Sequence, residues 1–225
     1  MPSVLFNYAR GSRVRYGFVN LEEFLPDATF DIRYYSTNNF VGKRIDGYEA
    51  PAAYLTKEAA IALRAVSDDL LSRGYRLRIY DAYRPCRAVA HLVRWARDPE
   101  ATEMQARFYP HIEKSTLLER GYIAEKSSHS RGSTVDLTLV SRESGEELDM
   151  GGEFDFFGER SHSDYTDDLT PEAVENRRIL REAMTSHGFL SLPEEWWHYT
   201  LADEPYPETY FDFPVTVDAD DTEYR

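Results

Sequence analysis

Two stretches distant in the chain, Ser127-Ser128-His129-Ser130-Arg131-Gly132-Ser133-Thr134-Val135-Asp136 and Glu195-Trp196-Trp197-His198, together hold two histidines, an aspartate and a spare glutamate. If these residues act together, the fold must bring both stretches to one point. Two imidazoles and one carboxylate supply three metal ligands, and three protein ligands leave a tetrahedral cation one open position for water. Such a donor set leaves a divalent ion with about one net positive charge, enough to acidify a bound water toward neutrality. Taken singly, each histidine is weak evidence, because a His beside two tryptophans is more often a hydrogen-bonded core residue. The combination of residue types, a glycine-containing turn and a nearby carboxylate carries the reading.

Spacing says how the pieces are presented. His129 and Asp136 are seven apart, too far for one helical turn, so the histidine belongs on a loop that turns at Gly132 and the aspartate inside the strand that follows. Val135, Leu137 and Leu139 alternate with Thr134, Asp136 and Thr138, which turns Asp136 away from the apolar row. Glu195 and His198 are three apart and would face opposite ways in an ideal strand. Glu195 is therefore expected at the mouth of the strand, where a bend aims its carboxylate at the metal-bound water.

The rest of the chain supplies a mixed framework. Ala59, Leu63, Val66 and Leu70 mark a helix over 56–73, with Thr56 as N-cap and Gly74 past its end. Tyr75, Leu77 and Ile79 alternate as a strand that stops at Asp81. Pro85 opens a helix carrying Val89, Leu92, Val93 and Ala96 on one face. Residues 99–122 read as one or two short helices, and Phe30 to Tyr34 as a short strand. Arg142 to Glu147 reads as a turn, with Leu148 and Met150 starting a return strand. Thr170-Pro171 begins another helix that ends at Gly188, and Phe189–Leu192 and Trp196–Leu201 read as two strands joined at Pro193-Glu194. Helices and strands are mixed without regular βαβ alternation, so the class is α+β.

With 225 residues, 42% hydrophobic, and no repeat or flexible linker, the expectation is one domain over residues 1–225, the first thirty being hard to place. A formal charge of -14 without a basic stripe excludes a nucleic-acid partner. No run reaches the roughly eighteen apolar residues of a membrane span. Met1 to Arg10 lacks the basic and apolar segments of a secretory signal, so a soluble, cytoplasmic protein is expected, with homo-oligomerisation left open. Cys86 is the only cysteine, which rules out an internal disulfide.

The first stretch resembles the S-x-H-x-x-G-x-A-x-D signature, and the second the E-x-W-H signature, of the zinc DD-peptidases. The resemblance is strongest to the VanX-type D-alanyl-D-alanine dipeptidases. It extends through Phe154-Asp155-Phe156, Asn176-Arg177-Arg178 and Asp203-Glu204-Pro205-Tyr206-Pro207 to Tyr210-Phe211-Asp212-Phe213-Pro214. It implies a central, mainly antiparallel sheet flanked by helices, one Zn²⁺ per chain on His129, Asp136 and His198, and Glu195 as general base in cleaving the dipeptide to two D-alanines. It implies that Arg84, in Tyr83-Arg84-Pro85, stabilises the tetrahedral intermediate and that Asp155 receives the substrate ammonium. Ser127 falls near the substrate carboxylate, and Tyr34 and Asp81 lie in matching segments as further substrate contacts. Read alone, Arg84 is better taken as a surface or salt-bridged residue after a strand and Asp155 as a turn or capping residue, while Ser127 is equally a loop cap. The signature's Ala is Thr134 here, which bears on side-chain preference. The alternatives are a peptidoglycan D,D-carboxypeptidase or endopeptidase and a non-catalytic zinc-binding module of the same fold.

Cys86, His91, His111, His162 and His187 read as structural, and the Asp167-Asp168 and Asp218 to Asp221 clusters as solvated acids rather than calcium loops.

Overall fold

Alternating apolar residues in three consecutive sheet neighbours set the architecture. In the computed structural model, which describes residues 17–217, a five-stranded sheet has the order β2-β4-β5-β7-β6. Its strands are β2 (Thr29–Phe30), β4 (Tyr75–Asp81), β5 (Thr134–Ser141), β6 (Phe189–Leu192) and β7 (Glu195–Leu201). Only β2 and β4 run parallel; the remaining pairs are antiparallel. A separate two-stranded ribbon joins β1 (Phe18–Asn20) to β3 (Tyr54–Thr56). The α+β reading with a mainly antiparallel sheet is what the chain adopts. Met1 to Arg10 and the acids from Asp218 lie outside the described residues.

Leu77, Ile79, Val135, Leu137 and Leu139 are all fully buried. They share one continuous core with Leu63, Val66 and Leu70 of α2 (Lys57–Ser72) and with Leu180, Ala183 and Met184 of α5 (Pro171–Ser186). Each such side chain contributes roughly 1.5–3 kcal/mol on leaving water, so the core anchors β4 and β5. Both helices form where the periodicity places them. Thr170 caps α5 by accepting from the Ala173 amide at 3.1 Å, with Pro171 in the first turn. Thr56 holds the N-cap position of α2, but its hydroxyl makes no capping bond and pairs with Ser133 Oγ at 2.8 Å, tying the helix start to the turn before β5.

α3 (Cys86–Arg97) follows Pro85, with Val89, Leu92, Val93 and Ala96 buried. Short helices α1 (Leu21–Phe24) and α4 (Gln105–Phe108) and a 3₁₀ turn at Lys114–Thr116 complete the helical parts relevant here. Among the described residues no helix is long and apolar enough to cross a membrane.

Two expectations are corrected. The segment Phe30 to Tyr34 is extended only through Phe30 and then winds into a 3₁₀ turn at Arg33–Tyr35. The turn lets Arg33 lie over the Tyr80 ring at 4.6 Å and sends the Tyr34 hydroxyl to Asp155. The return after Arg142 to Glu147 forms a single bridge, Val140 with Glu147, and not a strand. Glu147 is drawn to Arg78 and Tyr80 at 3.0 and 2.8 Å, and Asn176 takes the Asp149 carbonyl at 2.9 Å, so the chain leaves the sheet.

Irregularities in the ladder position the site. Ile79 pairs with Leu137 but Asp81 pairs with Asp136, so β4 carries one surplus residue, Tyr80. That bulge turns Asp81 to the same side as Asp136, because directly paired residues share a face. On the other side of β5, Asp136 pairs with His198. Asp81, Asp136 and His198 thus form one row across three strands.

Candidate metal centre and cavity

His129 arrives at the end of this row from a 3₁₀ turn, Ser128–Arg131. Ser127 caps the turn by accepting from the His129 amide at 3.3 Å, and Gly132 closes it at φ +84°. The turn is stitched down on both sides: Ser130 Oγ donates to the Arg84 carbonyl at 2.8 Å, and the Phe211 amide donates to the Ser130 carbonyl at 2.8 Å.

Three donor atoms converge. His129 Nε2 lies 3.3 Å and His198 Nδ1 lies 3.1 Å from Asp136 Oδ1, and the two nitrogens are 3.2 Å apart. A four-coordinate cation with bonds near 2.0 Å needs ligand atoms about 3.3 Å from one another, so the triangle has the size of one tetrahedral face. Asp136 Oδ1 is buried and accepts no hydrogen bond from a described residue, which is the condition of an oxygen reserved for a metal. Among the described residues this is the group that could hold a metal ion.

The outer atoms of each donor are fixed. His129 Nδ1 is 2.7 Å from the Ala82 carbonyl; a carbonyl only accepts, so Nδ1 carries the proton and Nε2 presents its lone pair. His198 Nε2 meets Ser128 Oγ at 3.3 Å, leaving Nδ1 inward. Asp136 Oδ2 receives Arg84 Nη2 at 3.4 Å. Burial opposes ionisation of Asp136, but the adjoining His129 and His198 outweigh it and hold its pKa well below the usual carboxylate range. Burial lowers the pKa of His129, which keeps that imidazole neutral and able to ligate.

Arg84 is clamped behind the triad. Its Nε donates to Asp81 Oδ2 at 2.9 Å, its guanidinium lies 4.8 Å from the centre of the Tyr34 ring, and Tyr48 donates to Asp81 Oδ1 at 2.6 Å. Asp81 is therefore satisfied on both oxygens. Burial raises its pKa while Arg84 and His129 pull it down.

Glu195 heads β7, with its Oε2 3.5 Å from His198 Nδ1 and its side chain 34% exposed. Two residues three apart meet because pairing slips between Ser191 with Tyr199 and Leu192 with Glu195, which bends the strand at Trp196 and Trp197. Burial raises the Glu195 pKa, with Asp136 adding in the same direction against His198 and Arg84. A carboxylate moved upward toward neutrality is suited to taking and returning a proton.

Asp155 is the single described non-glycine residue with positive φ, at 62°. Its buried carboxylate accepts from the Tyr34 hydroxyl at 3.0 Å. Burial pushes its pKa well up, and Asp136 adds to the effect, so the group calls for a cation.

These residues line one cavity of about 220 Å³. That is below the roughly 300–1,000 Å³ of drug-sized pockets and fits a very small ligand. Tyr34, Arg84, Ser127, His129, Asp136, Asp155, Glu195 and His198 all border it, with Phe40, Val89, Leu92, Ile123, Phe157 and Leu192 as its apolar wall. Asp81 does not line it and stands behind Arg84. Sequence reasoning passed over Tyr48, Ser128, the Ala82 carbonyl and Lys126, which borders the cavity beside Ser127. Only the adjacency of Lys126 to Ser127 could have signalled any of these.

Thr134 lies elsewhere. It is fully buried in β5 and bonds Thr200 Oγ1 of β7 at 2.9 Å, so its hydroxyl joins two strands without facing the cavity. His162 is also removed from the donor set; its carbonyl accepts from Arg177 at 2.9 Å. His91 Nδ1 accepts from the Asp46 amide at 3.0 Å, and His187 caps the end of α5.

Residues 14–216 match the family profile Peptidase_M15, described as D-ala-D-ala dipeptidase. The chain is 47% identical over 200 residues to a D-alanyl-D-alanine dipeptidase of Enterococcus faecalis, covering 89% of this chain and 98% of the relative. It is 43% identical over 199 residues to one from Enterococcus faecium, covering 88% and 98%. A dipeptidase of the same description from Escherichia coli is 37% identical over 187 residues, covering 81% and 83%.

Proposed function

The chain belongs to the D-Ala-D-Ala dipeptidase family, Peptidase_M15, and on that premise we propose that it hydrolyses the free dipeptide D-alanyl-D-alanine to two D-alanines. The observation that carries the reading is one small cavity in which three convergent donors, Glu195, Arg84 and a buried carboxylate meet.

His129, Asp136 and His198 would hold Zn²⁺, which suits two imidazoles and a carboxylate; when bound it supplies Lewis acidity and lowers the pKa of water. Glu195 takes a proton from the attacking water and delivers it to the leaving amine, a task matched to its raised pKa. Arg84 meets the charge that develops on the scissile carbonyl oxygen. It spends one donor on Asp81 and one on Asp136, which leaves three of its five for that oxygen and fixes their direction. Asp81, satisfied by Tyr48 and Arg84, acts as a positioning residue for the arginine rather than by touching substrate.

Asp155 and Tyr34 receive the substrate ammonium. An acylated or longer substrate has no ammonium there and leaves the buried carboxyl without its cation, at a cost of about 1–3 kcal/mol or more. Ser127, which also borders the cavity, is assigned to the substrate's carboxylate side.

The test is a panel. Zinc-loaded protein is incubated with D-Ala-D-Ala, L-Ala-L-Ala and an N-acetylated tripeptide ending in D-Ala-D-Ala, and released alanine is measured. Cleavage of the first compound alone is expected. Cleavage of the acylated peptide alone would make the protein a cell-wall carboxypeptidase, and zinc binding with no cleavage would make it a binding module.

A further inference from the structure

The substrate read in this way is a zwitterion, and its second charge needs a partner. Resting on the dipeptidase reading, we propose that Lys126 is the counter-ion for the substrate's C-terminal carboxylate.

The cavity is bordered by three carboxylates, Asp136, Asp155 and Glu195, so a free carboxylate entering it is repelled unless a cation meets it. Among the described lining residues the permanent cations are Arg84 and Lys126. Arg84 is held by Asp81 and Asp136 beside the donor triangle, where the scissile carbonyl must lie. It also stacks on Tyr34, the residue bonded to Asp155, and so belongs to the ammonium end. Lys126 borders the cavity from the segment that leads into the His129 turn, two residues before Ser128, whose hydroxyl touches His198 at 3.3 Å.

Reach agrees with this placement. Two residues of extended chain span about 7 Å, so an ammonium at Asp155 places the carboxylate beyond the donor triangle. The Lys126 side chain is exposed, and its ammonium lies 5.4 Å from the centre of the Tyr210 ring. A four-carbon stem lets that ammonium swing from the ring to the cavity mouth and meet an arriving carboxylate. Lys126 supplies the charge and Ser127 a neighbouring hydroxyl. The two ends of the cavity then measure the substrate, one requiring a free amine and the other a free acid.

The experiment compares Lys126→Met and Lys126→Arg with the unmodified protein on D-Ala-D-Ala and on its C-terminal amide, which lacks the negative charge. Lys126→Met is expected to raise KM for the free acid roughly tenfold, the worth of one charge-assisted hydrogen bond, with little change in kcat. The same variant should leave kcat/KM for the amide unchanged, and Lys126→Arg should recover most of the loss. An equal loss on both substrates, or none on the free acid, would overturn the assignment while the dipeptidase reading stands. Absence of turnover by the unmodified protein would remove both.

Discussion

Glu195 shows how much depends on the setting of one side chain. A carboxylate at the head of an ordinary strand would be a solvated acid, but here the slipped register turns it toward His198, and burial raises its pKa. The donor triangle closes without it, so the role proposed for it is proton transfer and not ligation. Glu195→Gln keeps shape and polarity but removes the proton acceptor. It should lower kcat by about 10²–10⁴-fold, the usual worth of general acid-base catalysis, while zinc content by atomic absorption stays near one ion per chain. Near-normal turnover in that variant would refute the role. Asp155 carries a different kind of information, because its left-handed backbone is a conformation that only glycine, asparagine and aspartate adopt at low cost. The backbone there accepts a small penalty to keep an acid facing Tyr34.

At the scale of elements, the turn Ser128–Arg131 is the part least tolerant of change. A Cβ on Gly132 would lie 2.4 Å from the Phe18 ring, at a φ of +84° that other residues resist. Phe18 cannot move freely, since it packs edge-on against Tyr83, Phe211 and Phe213. Gly132→Ala should therefore cost about 2–4 kcal/mol of unfolding free energy in a urea titration. Zinc affinity should fall with it, because His129 rides on the same turn; an unchanged denaturation midpoint would count against this account. The long elements around the turn were legible because their signals are local: periodic leucines for α2, Thr170-Pro171 and Gly188 for α5, strict alternation for β5. The triad residues were also legible as a set, together with Glu195 at a strand mouth. What periodicity could not show was the surplus residue in β4, the slip at β6 and β7, and the turn at Arg33–Tyr35. Each depends on contacts between segments far apart in the chain, Asp81 with Tyr48 and Arg84 or Tyr34 with Asp155. Asp81 was accordingly expected at the substrate, whereas the bulge sets it behind the arginine.

For the molecule as a whole, the candidate metal centre is a junction. Its three donor residues come from the turn before β5, from β5 and from β7, and its supports from β4, so four segments share one small region. A bound ion stabilises the folded state by mass action, about 4 kcal/mol at a thousandfold excess over Kd. For a chain of this size that corresponds to a melting temperature roughly 10 °C lower after chelation, restored on adding zinc, as read by calorimetry. No shift between the two states would mean that the three donors do not share an ion. The net charge of -14 offers no attraction to an anionic partner, and a zwitterion is indifferent to it. Tyr80, the extra residue in β4, has a consequence of another order. Were Tyr80 paired in a regular ladder, it would stand opposite Asp136, and Asp81 would fall opposite Val135 on the apolar side, leaving Arg84 without its anchor. The bulge thus lets one strand keep Leu77 and Ile79 in the apolar layer and still deliver Asp81 to the arginine.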